Sequence, residues 1–398
     1  LGYLRSEINC QTIQRRNNMG TRRIVKYSAI ASAVALGLSV VATTTVAAEH
    51  GPVAKIDVNN AKAEIGKRLF FDRRLSGDAG ISCSDCHSPD HGFGSKEALS
   101  PGYPGNGHFR NAPSLVNTAH KKTWMHDGRL GTNLNDVTRE MLTEDYIMNM
   151  DMRLMQERVK QDSEYLALYK AAGMNEPSNG SIRKLLPIFM KTLTTRNAPV
   201  DNGTMSDSAK RGGAIFDGKG GCNQCHTGAL YSDGGRHNTG VPENLDIFLD
   251  PMNHQAYLAY GIGMGVENIF NTKRDIGAAV QTHEADGSDR GTFMTPQLRG
   301  LKYSAPYMHN GMMATLENVV DFYNQGGGAD SNKSNLLQPL RLTSSEKSDL
   351  VAYLEALSGD ALTGDEFVWS KSFPAEYEVI PNWRQVDNRT RAPIKSTH

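Results

Sequence analysis

Two stretches of the chain carry the same helical pattern. Ile65-Gly66-Lys67-Arg68-Leu69-Phe70 and Gly212-Gly213-Ala214-Ile215-Phe216 each set a glycine and a phenylalanine four residues apart, on one helix face. A glycine on such a face lets a second helix approach closely. Each half is expected to close with an amphipathic helix, over residues 182–193 and 350–357. A capping box, Thr343-Ser344-Ser345-Glu346, marks the start of the second.

A further echo sits between these elements. Ala112-Pro113-Ser114-Leu115 leads to Met125-His126-Asp127-Gly128, and Thr295-Pro296-Gln297-Leu298 leads to Met308-His309-Asn310-Gly311. Proline precedes histidine by 13 residues in both (113 to 126, 296 to 309). Thr132, Leu134 and Val137 follow the first block; Thr315, Leu316, Val319 and Val320 follow the second. Spacing kept through two copies implies a duplicated domain. Alternating β-branched patterns are scarce, so the fold class expected is all-α, in two tandem domains. Their boundary falls in the polar stretch 195–203, giving domains over 49–200 and 201–359. Residues 360–398 hold prolines and aromatics without a period and are expected to form an irregular surface tail.

Hydrophobic residues make up 38% of the 398, and outside one early segment no apolar run nears the roughly 18 residues of a membrane helix. Met19 opens that segment, with Arg22, Arg23 and Lys26 ahead of an apolar core over 29–41 and a small-residue exit, Val46-Ala47-Ala48. This order describes a secretory signal cleaved after Ala48, with Met19 as the expected natural start. The short, Thr-rich core argues against a membrane anchor. Residues 1–48 are therefore read as leader and signal peptide, and the mature protein is expected in the periplasm. Lys+Arg and Asp+Glu both number 43, so bulk charge argues against a nucleic-acid partner.

Cys10 lies in the leader. The other four cysteines form Cys83-Ser84-Asp85-Cys86-His87 and Cys222-Asn223-Gln224-Cys225-His226. In an exported chain a bare pair suggests a disulfide. A pair followed at once by histidine is instead the attachment pattern of c-type haem. Two thioethers tether the porphyrin, and the adjacent imidazole ligates iron. Zinc would need further ligands. One covalent haem c is expected per domain, each domain cytochrome c-like, with Phe70 and Phe216 placed to pack over the porphyrin.

Together these blocks resemble the bacterial di-haem cytochrome c peroxidase family. The matching stretches are residues 65–72, the two haem motifs, Arg110-Asn111-Ala112-Pro113-Ser114-Leu115, His126-Asp127-Gly128-Arg129, and residues 305–311 with Thr315-Leu316. The resemblance implies haems of unequal role. The front one, at His87, binds hydrogen peroxide at an open iron position; the rear one, at His226, has six ligands and passes electrons. It also implies a calcium ion held by the Asn111 side chain and the carbonyls of Ser304 and Pro306, a donor set that suits a hard cation. Asn111 capping a turn is the plain alternative. The electron donor implied is a small cytochrome c or cupredoxin, and a homodimer is compatible with the sequence.

The rear sixth ligand separates branches of the family. Its peroxidases place a methionine 14 residues after the histidine of the His-Asp-Gly motif; counted from His309, that position is Tyr323. Tyrosine there is similar to the methylamine-utilisation branch, whose enzyme oxidises residues of a partner protein. A phenolate is a hard anionic donor, so His226/Tyr323 ligation lowers the reduction potential and helps store oxidising equivalents. A buried core tyrosine, with Met312 or Met313 as ligand, is the competing reading.

Three positions depart from the family. Its peroxide-side glutamate falls on Tyr146 or Ile147, which leaves Glu144, beside Asp145, as the acid–base candidate against a merely solvated acidic pair. Its inter-haem tryptophan matches His126, with Trp124 as a second relay candidate. Its capping histidine matches Tyr103, with His108 as a substitute in an exposed Gly-rich loop. Met148, Met150, Met152 and Met155 read as pliable core packing, and Arg110 and Arg129 as partners of haem propionates. The activity expected is peroxide reduction. The alternatives are peroxide-dependent oxidation of Trp or Tyr on a partner protein, and a plain electron carrier with both irons closed.

Overall fold

The computed structural model describes residues 50–103, 106–131 and 133–362. The leader, Thr132 and the tail beyond Leu362 lie outside the described residues. Among those described, the helices are α1 Asn60–Phe71, α2 Cys83–Cys86, α3 Leu134–Thr143, α4 Met152–Lys160, α5 Ser163–Ala171, α6 Asn179–Met190, α7 Pro199–Asn202, α8 Asp207–Asp217, α9 Asp246–Leu249, α10 Pro251–Gly263, α11 Leu316–Asn324 and α12 Ser344–Ala356. Two antiparallel ladders of two residues per strand add the little sheet present: β1 Pro101–Gly102 with β2 Asn106–Gly107, and β3 Arg236–His237 with β4 Phe293–Met294. The all-α expectation is met apart from these ladders.

The repeated glycines explain the main packing. α1 crosses α6 so closely that a Cβ on Gly66 would collide with the Leu185 carbonyl. α8 crosses α12 in the same way, with Gly212 against the Asp349 carbonyl and Tyr353. Backbone leaves no room to yield. Gly212→Ala is expected to lower stability by about 1–3 kcal/mol, as overpacking does; a denaturant melt checks it, and an unchanged midpoint refutes the contact.

α12 starts as its capping box dictates: Thr343 N–H donates to Glu346 at 2.7 Å and Glu346 N–H to the Thr343 hydroxyl at 3.3 Å. The 182–193 helix is displaced toward the N-terminus. Ser178 Oγ accepts from Ser181 N–H at 3.1 Å and starts α6 early. After Met190 the Thr192 hydroxyl takes the Phe189 carbonyl at 2.7 Å and Asn117 N–H takes that of Leu193, so the helix ends.

The duplication extends to backbone dihedrals. Met125 and Met308 both adopt positive φ, at 71° and 74°, a conformation uncommon for a side chain with a Cβ. Gly128 and Gly311 follow at 70° and 66°. Isolated bridges join Trp124 to Leu130 and Tyr307 to Met313. Trp124 Nε1–H donates to the Thr118 carbonyl at 3.0 Å, and the Tyr307 hydroxyl donates to that of Leu301 at 2.8 Å. Both acceptors open a single 3-10 turn.

Three apolar cores result. One gathers Ile65, Leu69, Phe70, Phe93, Leu185 and Phe189. Another gathers Phe216, Tyr231, Leu316, Val320, Leu350 and Tyr353. Met148, Met150 and Met155 are buried in the first, as packing residues. The third joins Phe109 and Tyr146 to Ile247, Tyr257, Tyr260, Ile276 and Val280, from a segment of the second half that has no counterpart in the first. The described residues fall within one compact unit.

Candidate haem sites and the groups between them

The front pair is shaped by one helical turn. Ser82 N–H donates to Asp85 at 2.8 Å, which starts α2 and points Cys83 into the first core. The Cys86 thiol donates to the Pro101 carbonyl at 3.1 Å. His87 Nδ1 lies 3.1 Å from the carbonyls of both Phe93 and Pro113. In the rear pair, Cys222–Gln224 form a 3-10 turn, and His226 Nδ1 lies 2.8 Å from the Tyr231 carbonyl, with the Pro296 carbonyl as a second partner. Each proline of the repeated blocks thus offers its carbonyl to a motif histidine. Nδ1–H donating to backbone sets the tautomer and leaves Nε2 for iron. Burial pushes the His87 imidazole down to about 4 and lowers that of His226, so both stay neutral, the form that binds metal.

All four described cysteines are free thiols, which removes the disulfide reading. Among the described residues the one zinc-like set is Cys225, Asp233 and His237, which bypasses Cys222 and His226 and has no front counterpart. Paired free thiols ahead of a neutral, carbonyl-anchored imidazole fit covalent haem at both places.

Tyr323 is carried by α11 to the rear pair. Its phenol hydrogen-bonds the Thr239 side chain and stands beside Cys222 and Cys225; burial, then those thiols, push it up to about 12. Of the competing methionines, Met312 is 41% exposed, and the backbone of Met313 is bridged to Tyr307. The front candidates differ in their surroundings. Tyr103 packs on the first core, and its N–H donates to the Ile147 carbonyl. Tyr146 is buried in the third core. His108 is not the exposed loop residue expected: its ring stacks 4.4 Å from Phe109, and its Nδ1 accepts from Arg110 N–H at 3.0 Å. Glu144 caps the end of α3, its carboxyl raised by burial and by Glu140.

A buried charge network joins residues of the two halves. Arg110 donates to Asp275 through Nε (2.5 Å) and Nη2 (2.7 Å) and to Asp127 through Nη1 (2.5 Å). Arg129 pairs with Asp127 at 2.9 Å and with Glu140 at 2.8 Å. The Tyr260 hydroxyl donates to Asp127 at 2.6 Å. The guanidinium groups expected on propionates are held by protein carboxylates instead. No local spacing ties Asp275 and Tyr260 to Arg110, so sequence reasoning missed both.

His126 Nε2 lies 2.8 Å from the Asn111 carbonyl, and its ring centroid is 6.5 Å from that of His309, its counterpart in the repeat. His309 stacks on Phe293 at 3.8 Å, and its buried Nε2 has no hydrogen-bond partner among the described residues. Trp124 has its N–H committed to Thr118. Asn111 binds the His309 carbonyl through its N–H (2.7 Å) and the Glu97 carbonyl through Nδ2 (2.8 Å), so its amide oxygen is the atom that suits a cation. Ser304 precedes the cis Ala305–Pro306 bond, of which Pro306 is part.

Acid should loosen this centre. Burial raises the Asp127 carboxyl, but Arg110, Arg129 and the Tyr260 hydroxyl outweigh it and hold it well below the usual range. Asp275 is likewise lowered by Arg110 against burial. Burial pushes His126 down to about 4 and His309 to about 3. All four bind protons less readily folded than unfolded, so stability falls as pH drops below about 6.5, first through the histidines and then the carboxylates. Urea midpoints at about pH 7.5 and pH 5 check the sign; equal midpoints refute it.

Thiol pairs and anchored imidazoles, present twice, define a protein built to hold c-type haem. A family model for di-haem cytochrome c peroxidase matches residues 60–209. The cytochrome-c peroxidase IdrP2 of Denitromonas iodatirespirans is 46% identical over 354 residues, 86% of this chain and 93% of that one. The methylamine utilization protein MauG of Methylorubrum extorquens is 31% identical over 307 residues, 75% of this chain and 78% of that one. A solved MauG-like protein associated with microbial copper homeostasis has a TM-score of 0.64 at 27% identity, over 78% of this chain and 94% of that one. The chain belongs to the di-haem cytochrome c peroxidase family and is an oxidoreductase of that type.

Proposed function

We propose that this protein reduces hydrogen peroxide in the periplasm, with two cytochrome c-like domains, over 49–200 and 201–359, each holding one haem c. Bound haem supplies the front iron at which the O–O bond is cleaved and the rear iron through which electrons arrive. Cys83, Cys86 and His87 hold the front group; Cys222, Cys225, His226 and Tyr323 hold the rear one. Each turnover consumes two electrons and two protons and yields two waters. Glu144, whose raised carboxyl retains a proton more readily than a solvated acid, is the acid–base group assigned to the front face. His126, 6.5 Å from His309 between ring centroids, is the assigned relay, with Trp124 as the second candidate. Asn111 and the carbonyls of Ser304 and Pro306 are the assigned calcium ligands. The electrons come from a small cytochrome c or cupredoxin.

One observation carries this reading: an oxygen donor, Tyr323, is carried to the rear thiols, while His108, considered as a front cap, stacks on Phe109 and accepts from Arg110 N–H. Ferric absorbance tests it, with a high-spin band marking the open front iron. Low-spin spectra in both the resting and half-reduced protein would make it an electron carrier. Tyr323 also supports a second reading, oxidation of Trp or Tyr on a partner protein. Stoichiometric peroxide without donor gives a long-lived two-electron-oxidised state in that case alone.

A further inference from the structure

The third core holds tyrosines that no step above employs. The ring centroids of Tyr146 and Tyr260 are 6.2 Å apart. Phe109 lies 4.9 Å from Tyr260 and 6.3 Å from Tyr146. All three are buried. One end of this group is tied through backbone to the front motif: the Cys86 thiol donates to the Pro101 carbonyl, and two residues on Tyr103 N–H donates to the carbonyl of Ile147, the neighbour of Tyr146. At the other end the Tyr260 hydroxyl donates to Asp127 at 2.6 Å, and Arg110 and Arg129 keep that carboxylate ionised. A phenol hydrogen-bonded to an anionic acceptor can release its proton along that bond as it gives up an electron. Tyr257 differs. It is in the same core, 5.8 Å from Phe109, but its hydroxyl donates to the Arg274 carbonyl at 2.9 Å, which is no base.

We propose that Tyr146 and Tyr260 are an internal electron reserve, which completes peroxide reduction when the external donor is absent. The proposal rests on the peroxide-reducing reading above. Its balance is H2O2 + 2 Tyr–OH → 2 H2O + 2 Tyr–O•. The O–O bond breaks, and peroxide gains two electrons and two protons. Each phenol loses one electron and its O–H proton; that of Tyr260 leaves through Asp127, and that of Tyr146 through Glu144, the acid–base group two residues before it whose charge acts on this phenol. Oxidising equivalents are thereby moved from the front site into a dry aromatic cluster.

The test uses the di-haem holoprotein mixed with stoichiometric peroxide without donor, freeze-quenched and read by electron paramagnetic resonance. A tyrosyl radical is expected, narrowed when the protein contains ring-deuterated tyrosine. It should weaken in Tyr146→Phe and in Tyr260→Phe, vanish in the double variant and persist in Tyr257→Phe. Resting haem absorbance of each variant reports intact assembly. A protein that consumes peroxide with reduced cytochrome c yet forms no tyrosyl radical overturns the reserve and leaves the peroxidase standing. So does a radical that survives in the double variant. A holoprotein that consumes no peroxide even with donor sinks both.

Discussion

Tyr323→Met is expected to raise the reduction potential of the rear site by on the order of 0.1 V or more, within the roughly 0.8 V that axial ligands span. A thioether stabilises reduced iron, whereas an anionic phenolate stabilises oxidised iron. The geometry supports the exchange, because the phenol already stands with Thr239, Cys222 and Cys225. Two readouts follow: a higher midpoint by spectroelectrochemistry, and loss of any long-lived oxidised state after peroxide without donor. An unchanged midpoint would remove Tyr323 from the ligand set. Tyr323→Phe separates donor from bulk, since it keeps the ring and deletes the oxygen.

Arg110→Ala is expected to cost about 3–5 kcal/mol of folding stability, the range for breaking a buried ion pair by removing one partner. Arg110 is the common partner of Asp127 and Asp275, both buried. Asp127 keeps Arg129 in the variant, but Asp275 loses its bidentate partner. Lysine should recover only part of the loss, because one ammonium cannot reproduce the planar fork that meets both carboxylates. Urea melts of the holoprotein check this; a cost below about 1 kcal/mol would show the network to be solvated in practice. The Arg110→Ala deficit should shrink at acid pH, where protonation of Asp275 relieves the unpaired charge.

The sequence was informative wherever chemistry is local or duplicated. Both haem motifs, the α12 capping box and the helix glycines at 66 and 212 are read over a few residues, and the structure bears out the capping box and both close helix approaches. The repeated Pro and Met-His blocks announced a duplication but not what the prolines do. Only the structure showed that Pro113 and Pro296 offer carbonyls to His87 and His226. His108 was misplaced because a Gly-rich run looks exposed, while its ring is covered by Phe109 and Tyr146, one 38 residues away (108 to 146).

By itself, then, the chain's sequence determined a helix-rich fold and two repeated blocks, each with a thiol pair followed by histidine, since adjacent residues make a motif and period decides helix. Tertiary structure decided what surrounds them. Arg110 meets Asp275 across 165 positions, Tyr260 meets Asp127 across 133, and the third aromatic core assembles from both halves. Such pairings depend on burial and distance in three dimensions, which no spacing along the chain encodes.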